Sequence, residues 1–243
     1  MKLFIADTPG TMARQVADIL VDCMQSARLP LFCPASGDTP AALYQDLHRR
    51  SLEGRIDVSD WYFVGLDEWV GMNGQDEGSC RNSLDRLLFH PLGIRNEKIC
   101  FFNGKGRDLR AECLRTENFI ADRGVIDAVV LGIGMNGHVA MNEPGVASAA
   151  RSHVTIIHPT TAATGQKYFA TFRPLTRGLT LGMGNLLEAR HVFLMATGRH
   201  KAAIVQKFLE GPVSADLPAT LLRNHAGLQV FLDADAAALL TTK

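Results

Sequence analysis

Short apolar runs that alternate with amphipathic stretches constrain the fold of this chain more than any other feature of its sequence. Each run has the length and the aliphatic and aromatic content of a buried strand. The runs lie at 2–6, 31–33, 61–66, 99–102, 126–133, 154–157, 179–181, 191–196 and 228–232. Between many of them apolar residues recur at helical spacing, as Met12, Val16, Leu20 and Cys23 do. Strands that alternate with helices predict an α/β, Rossmann-like fold in three layers, with a mostly parallel central sheet and helices on both faces.

Length and composition limit the number of domains and the classes of partner that this protein is expected to bind. A chain of 243 residues suits one large α/β domain or two small ones, and we expect residues 1–243 to form a single domain. The 25 Lys and Arg residues balance the 25 Asp and Glu residues, so no global basic field favours nucleic acid. The five cysteines form no C-x-x-C pair, and no apolar stretch resembles a signal peptide or a membrane span. These features predict a cytoplasmic protein with reduced thiols and without a membrane partner.

The segment 126–145 carries the strongest functional signal. Its apolar run ends in glycines, and the loop that follows contains Asn136, His138, Asn142 and Glu143. A buried strand that delivers an imidazole, a carboxylate and amides to its carboxyl end is typical of active sites in open α/β sheets. The alternative is that His138 and Glu143 only satisfy the hydrogen bonds of a polar loop.

The same segment fits the dinucleotide pattern G-x-G-x-x-G at Gly132, Gly134 and Gly137. That pattern requires a helix that opens at the third glycine and an acidic residue about 20 positions on. Pro144 interrupts such a helix, and no acidic residue stands at the required distance. We therefore expect no dinucleotide, and we expect the glycines to serve a sharp turn or the close approach of a ligand.

Two other strand-to-loop junctions suit a phosphate. In S-G-D-T-P, residues 36–40, a helix that opens at Pro40 offers backbone N–H groups and hydroxyls. The alternative is an ordinary turn in which Thr39 is the helix N-cap, which would account for the same residues. Lys201 lies in the first turn of a predicted helix, where a cation opposes the helix dipole and a bound phosphate would reverse that cost. A solvated surface lysine is the alternative there.

A fourth junction carries the adjacent carboxylates Asp67 and Glu68 after the run 61–66. Such pairs are commonly solvated loop acids. Here Trp69 and Val70 follow directly, so at least one carboxylate is expected to be partly enclosed. Partial burial raises the pKa of a carboxyl group and makes its carboxylate a better base near neutral pH.

Taken in order, these segments resemble the glucosamine-6-phosphate deaminase/isomerase family, which shares its fold with 6-phosphogluconolactonases. The resemblance covers nearly the whole chain. It rests on S-G-x-T-P at 36–40, L-D-E-W-V-G at 66–71, G-I-G-x-N-G-H-x-A-x-N-E-P-G at 132–145, L-T-L-G at 179–182 and T-G-x-x-K at 197–201. The sequence V-A-M-N-E-P replaces the T-A-S-L-F-P pattern of the lactonase branch. The sequences L-D-E-W and R-P-L-T-R-G-L-T-L-G look more like the galactosamine-6-phosphate members.

The resemblance implies a hexosamine-6-phosphate isomerase/deaminase of amino-sugar catabolism that releases ammonia and a ketose 6-phosphate. His138 would assist ring opening, Asn136 and Glu143 would orient it, and Asp67 would take the C2 proton. The implied phosphate ligands are Ser36, Gly37, Thr39, Lys201 and one arginine. The chemistry needs no metal or cofactor, the implied partner is a small sugar phosphate, and a homo-oligomer is possible by analogy. A lactone hydrolase and a sugar-phosphate sensor that has lost its chemistry are the alternatives.

Three departures from the family pattern bear on the site. Asn136 replaces the usual Asp, which implies a lower pKa for His138 because an amide stabilises an imidazolium less than a carboxylate does. Asp38 replaces the usual Gly or Ser, so its carboxylate must point away from a bound phosphate or repel it. The segment 160–179 is shorter than usual, which leaves the phosphate-binding arginine unplaced. The candidates are Lys167, Arg173 and Arg177, and we prefer Arg177 because it closely precedes the run 179–181.

Overall fold

A seven-stranded parallel sheet forms the centre of the molecule in a computed structural model that describes residues 1–241. Thr242 and Lys243, the end of the expected domain, lie outside the described residues. The strands are β1 (Lys2–Ala6), β2 (Leu31–Cys33), β3 (Tyr62–Val64), β4 (Asp67–Trp69), β5 (Ile99–Cys100), β6 (Ala128–Gly132), β7 (His153–Ile156), β8 (Arg177–Thr180), β9 (His191–Ala196) and β10 (Leu228–Asp233). The helices are α1 (Pro9–Gln25), α2 (Ala41–Leu52), α3 (Cys80–Leu84), α4 (Leu109–Ala121), α5 (Pro159–Gly165), α6 (Met183–Glu188) and α7 (Ala202–Glu210).

Local sequence explains where several of these elements begin and what they bury. Helix α1 starts at Pro9 because the Thr8 hydroxyl accepts the backbone N–H of Thr11 at 3.1 Å, which caps the first turn. Strands β2, β6 and β10 are almost wholly buried, as expected for parallel strands covered on both faces. Aromatic rings pack between neighbouring strands, and Phe193 of β9 stacks on Phe231 of β10 with ring centroids 6.1 Å apart. This core fixes the sheet whose loops carry the polar residues.

The order of the strands in the central sheet is β1-β10-β9-β6-β2-β3-β5, and all neighbouring pairs are parallel. From β1 to β5 the chain moves towards one edge, and from β5 to β10 it moves back towards the other. Right-handed crossovers then place α1 and α2 on one face and α4, α6 and α7 on the opposite face. The expected three-layer α/β fold with a parallel central sheet is confirmed.

A second, antiparallel sheet has the order β4-β8-β7. In its register, Asp67 lies opposite Thr180, and Trp69 lies opposite Gly178. The sequence predicts a loop at Asp67 and Glu68, and this is wrong: both residues belong to strand β4. The predicted strand 61–66 is correspondingly shorter, because the chain leaves the central sheet after Val64 and joins β8 instead.

Candidate active site

The carboxyl ends of β2 and β6 lie at the point where the direction of the chain across the sheet reverses. These two strands are neighbours, but the connection after β2 runs towards β3 and the connection after β6 runs towards β9. Open α/β sheets bind ligands in the crevice that such a switch point creates. A cavity of about 720 Å³ lies there. It is lined by residues from the loops after β2, β6 and β9, from β4, and from the segment 160–168.

The loop after β6 is a tight turn in which the imidazole of His138 packs against the backbone of Gly134. The N–H of Gly134 donates to the His138 carbonyl at 2.9 Å, and Gly137 has a φ of +83°. A Cβ on Gly134 would come within 2.1 Å of the imidazole. Glycine at 134 is therefore required for the ring to occupy this position, whereas the φ of Gly137 favours glycine for its backbone conformation.

Hydrogen bonds to the side-chain oxygen of Asn136 fix the imidazole of His138. Asn136 Nδ2 donates to Glu143 Oε2 at 2.9 Å, so Asn136 Oδ1 points towards His138. This oxygen accepts the backbone N–H of His138 at 3.2 Å and lies 2.7 Å from its Nδ1. The Glu143 carboxylate can only accept, so it fixes which side of Asn136 carries the NH2 group. Asn136 Oδ1 also can only accept, so Nδ1 of His138 carries the proton of the neutral imidazole. The lone pair on Nε2 is then available for a ligand.

Burial sets the charge preference of His138. Its pKa is lowered from the ordinary value mainly by burial, with smaller contributions from Lys201 and His158, while Glu143 acts in the opposite direction. Desolvation is thus the largest cause of the shift, and the expected effect of Asn136 in place of Asp stays a prediction. A neutral imidazole with a free Nε2 is suited to exchanging protons with a sugar hydroxyl or ring oxygen.

The two acids of β4 differ in what they face. Asp67 lines the cavity, and burial raises its pKa to about 6, while a hydrogen bond from the Cys80 thiol acts in the opposite direction. Glu68 is fully buried and accepts the backbone N–H groups of Trp69, Cys80 and Arg81 at 2.9 to 3.0 Å. Burial raises the pKa of Glu68 to about 7, and these N–H bonds oppose that rise. Asp67 is thus placed to act on a ligand, whereas Glu68 anchors the start of α3.

The loop after β2 forms one wall of the cavity. Ser36, Gly37 and Thr39 all line it, and Gly37 has a φ of +103° that favours glycine. The carboxylate of Asp38 points to the Lys167 ammonium at 2.6 Å. This ion pair joins the loop to the segment that follows α5.

Lys201 reaches the same region from the end of β9. Its ammonium donates to the Ile133 carbonyl at 2.7 Å, and its pKa is lowered by burial and by Lys167. Lys167 and Lys201 both line the cavity, so two cations stand beside the loop after β2. This arrangement suits an anionic group.

Arg177, our preferred phosphate ligand, does not line the cavity, and neither does Arg173. Strand β8 runs antiparallel to β4, with Thr180 opposite Asp67, so Arg177 lies at the other end of β8. Arg177 is exposed there, opposite Ile156 of β7. Of the three candidates, the structure brings only Lys167 to the site.

Sequence reasoning missed several side chains that line the same cavity. Thr161 lies 3.0 Å from Nδ1 of His138, and Tyr168 places its hydroxyl near Gly37. The Cys80 thiol bonds to Asp67 and also to the Ser36 hydroxyl, and Arg86 lies further along the wall. None of them belongs to a recognisable motif. The one available signal is that Thr161 and Tyr168 fall within the segment 160–179, where the resemblance implies a phosphate ligand.

Residues 1–241 contain neither a membrane-spanning helix nor a cluster of metal ligands. No helix in this range is long and apolar enough to cross a bilayer. The same residues contain no group of three or more His, Cys, Asp or Glu side chains arranged to hold a metal ion.

Comparison with known proteins identifies the family of this chain. The family described as glucosamine-6-phosphate isomerases/6-phosphogluconolactonase matches residues 7–231. The chain is 33% identical over 241 residues to a glucosamine-6-phosphate deaminase of Clostridium perfringens, covering 99% of this chain and 100% of the relative. A counterpart from Colwellia psychrerythraea is 34% identical over 243 residues, covering 99% of this chain and 90% of the relative.

Solved structures give the same result. A monomeric glucosamine-6-phosphate deaminase superposes with a TM-score of 0.94 at 30% identity, covering 98% of this chain and all of the other. A 6-phosphogluconolactonase from Trypanosoma brucei superposes with a TM-score of 0.76 at 21% identity, covering 99% and 98% of the two chains, and it shares the fold.

Proposed function

This chain belongs to the glucosamine-6-phosphate isomerase/6-phosphogluconolactonase family as a deaminase-like sugar-phosphate isomerase, and we propose that it converts glucosamine 6-phosphate or galactosamine 6-phosphate to the ketohexose 6-phosphate and ammonia in amino-sugar catabolism. The observation that carries the proposal is the placement of a buried carboxylate, Asp67, and an oriented imidazole, His138, in one cavity that also holds two lysines. The loops that form this cavity span most of the chain, which supports a single domain.

Ring opening is the first step we assign. Nε2 of His138 takes the proton of the C1 hydroxyl and delivers it to the ring oxygen as the C1–O bond breaks, which leaves an open-chain aldehyde. Asn136 and Glu143 serve this step by holding the Nδ1 proton in place. A positioned acid–base group of this kind typically contributes about 10²- to 10⁴-fold in rate.

Proton transfer at C2 is the second step. The carboxylate of Asp67 takes the C2 proton while the C1 oxygen gains a proton from the substrate ammonium group, giving an enolamine, and Asp67 then returns its proton to C1. The resulting C2 iminium adds water and expels ammonia, so the sum is hexosamine 6-phosphate plus water to ketohexose 6-phosphate plus ammonia. A pKa of about 6 keeps Asp67 ionised at neutral pH and more basic than an exposed carboxylate.

The substrate phosphate is assigned to the wall that contains Ser36, Gly37, Thr39, Lys167 and Lys201. Lys167 takes the place that we expected Arg177 to fill. Binding energy from this remote group can be used to hold C1 and C2 against the acid–base pair. Lys167 would exchange Asp38 for the phosphate when substrate binds.

The test is ammonia release from each hexosamine 6-phosphate, with 6-phosphogluconolactone supplied in parallel. We expect ammonia from at least one amino sugar, and we expect Asp67→Asn to reduce kcat by about 10²- to 10⁴-fold. Asp60→Asn, which changes an exposed carboxylate, is the matched control and should retain full activity. Acid release from the lactone without ammonia from either amino sugar would replace the proposal with hydrolysis, and tight binding without turnover would indicate a sensor.

A further inference from the structure

The hydroxyl of Thr161 is the second oxygen within hydrogen-bond distance of Nδ1 of His138. Thr161 Oγ1 lies 3.0 Å from this nitrogen, and Asn136 Oδ1 lies 2.7 Å from it. Glu143 Oε2 is 3.7 Å away, which is beyond the usual range of a hydrogen bond. One amide oxygen and one hydroxyl oxygen therefore lie within hydrogen-bond distance of Nδ1.

The amide oxygen of Asn136 already has another donor. It accepts the backbone N–H of His138 as well as the ring proton. When the imidazole takes up a second proton, its Nδ1–H becomes a stronger donor and needs more acceptor density than this neutral oxygen supplies. A hydroxyl can accept that bond and still donate its own proton elsewhere. Thr161 is placed to supply the missing acceptor.

Thr161 comes from a different element than the rest of the histidine network. It lies in α5 and is 7% exposed. The start of α5 is also held by Glu143, whose Oε1 accepts the backbone N–H of His158 at 3.1 Å. Helix α5 is thus attached to the histidine loop at two points, one on the helix cap and one on the imidazole itself.

We propose that Thr161 is a positioning residue that shares the Nδ1 proton of His138 with Asn136 and couples the orientation of the imidazole to α5. This inference deepens the proposed function and rests on it for the role of His138. The charged and titratable groups that face the imidazole are Glu143, Lys201 and His158. Thr161 adds an uncharged acceptor to that set, on the side of the ring opposite Nε2.

The test compares Thr161→Val, which keeps the shape and removes the oxygen, with Thr161→Ser, which keeps the oxygen. We expect Thr161→Val to lower the pKa of His138 and to reduce kcat about five- to tenfold with KM within about twofold, since a hydrogen bond of ordinary strength is lost. Thr161→Ser should remain within about threefold of the wild type in kcat, because the acceptor is retained.

The decisive readout is the pH titration of the His138 ring nitrogens by ¹⁵N NMR, assigned with His138→Asn. The wild type should show the proton on Nδ1 in the neutral form, and Thr161→Val should titrate at lower pH. The control is Thr164→Val, because the Thr164 hydroxyl donates to the Thr160 carbonyl and not to the imidazole. It should keep the wild-type His138 signals.

Two results would overturn the inference. One is a Thr161→Val protein whose His138 titration matches the wild type. The other is an equal loss in Thr161→Val and Thr161→Ser, which would assign the effect to the methyl group. The titration does not depend on turnover, so an enzyme that releases no ammonia would refute the proposed function and leave the test of Thr161 intact.

Discussion

At Asp67, burial and hydrogen bonding act on the pKa in opposite directions. Burial raises the pKa to about 6, and the Cys80 thiol lowers it by donating to the carboxylate. The thiol remains protonated because burial and the neighbouring acids raise the pKa of Cys80 well above its ordinary value. The Ser36 hydroxyl bonds to the same sulfur, so a short chain of contacts joins the loop after β2 to the proposed base.

Removing this thiol should move the acid limb of the activity profile. We expect Cys80→Ala to raise the pKa of Asp67, so that kcat/KM falls at a pH roughly 0.5 to 1 unit higher than in the wild type. Cys80→Ser should not show the rise, because its hydroxyl is an equal or better donor. Cys23→Ala, a half-buried cysteine of α1, serves as the control. An unchanged acid limb in Cys80→Ala would show that the thiol does not act on Asp67.

At the scale of elements, the ion pair between Asp38 and Lys167 joins the loop after β2 to the segment that follows α5. The two side chains are largely exposed, so the pair itself contributes little to stability. Under the proposed function its consequence lies in binding, because Lys167 would have to leave Asp38 to contact an anion. We therefore propose that Asp38 competes with the substrate phosphate for Lys167.

Substitutions on the two sides of this pair should therefore have opposite effects on KM. We expect Lys167→Met to raise KM about tenfold with kcat nearly unchanged, since a charge-assisted contact to the phosphate is lost. Asp38→Asn should lower KM up to about fivefold, which is the range of an exposed ion pair. Lys207→Met, an exposed lysine of α7, should leave KM as it is. A higher KM in Asp38→Asn would mean that the carboxylate assists binding.

The elements also show how far the sequence predicts this site. Strands β1, β2 and β9 have the predicted bounds, since apolar runs bounded by turn residues determine them locally. The sequence does not predict strand β4, because adjacent acids are typical of loops and its partner β8 lies more than a hundred residues away. Closeness along the chain favours Arg177 as the phosphate ligand, but antiparallel pairing places it away from the cavity. Thr161 and Cys80 approach the site only through tertiary packing.

At the scale of the whole molecule, the ionised carboxylate of the proposed base lowers the free energy of unfolding. Asp67 has a pKa of about 6 in the folded protein and an ordinary value of 3.8, so the native state binds its proton more tightly than the unfolded state does. The contribution of Asp67 to the free energy of unfolding is therefore largest below pH 4 and declines as the pH rises to about 6. Above that pH the ionised, buried side chain costs about 3 kcal/mol by this shift.

Asp67→Asn should consequently be more stable than the wild type at pH 8 while losing activity. We expect its free energy of unfolding to increase by about 1 to 3 kcal/mol at pH 8, with the gain shrinking towards pH 4, where the native carboxyl group is protonated. Urea denaturation of the two proteins at both pH values measures this difference, and Glu68 is present in both, so its own titration largely cancels. Asp60→Asn should show no comparable gain, because its carboxylate is exposed. If Asp67→Asn gained nothing at pH 8, the carboxylate would be solvated well enough to have an ordinary pKa, and it would be a weak base for the C2 proton.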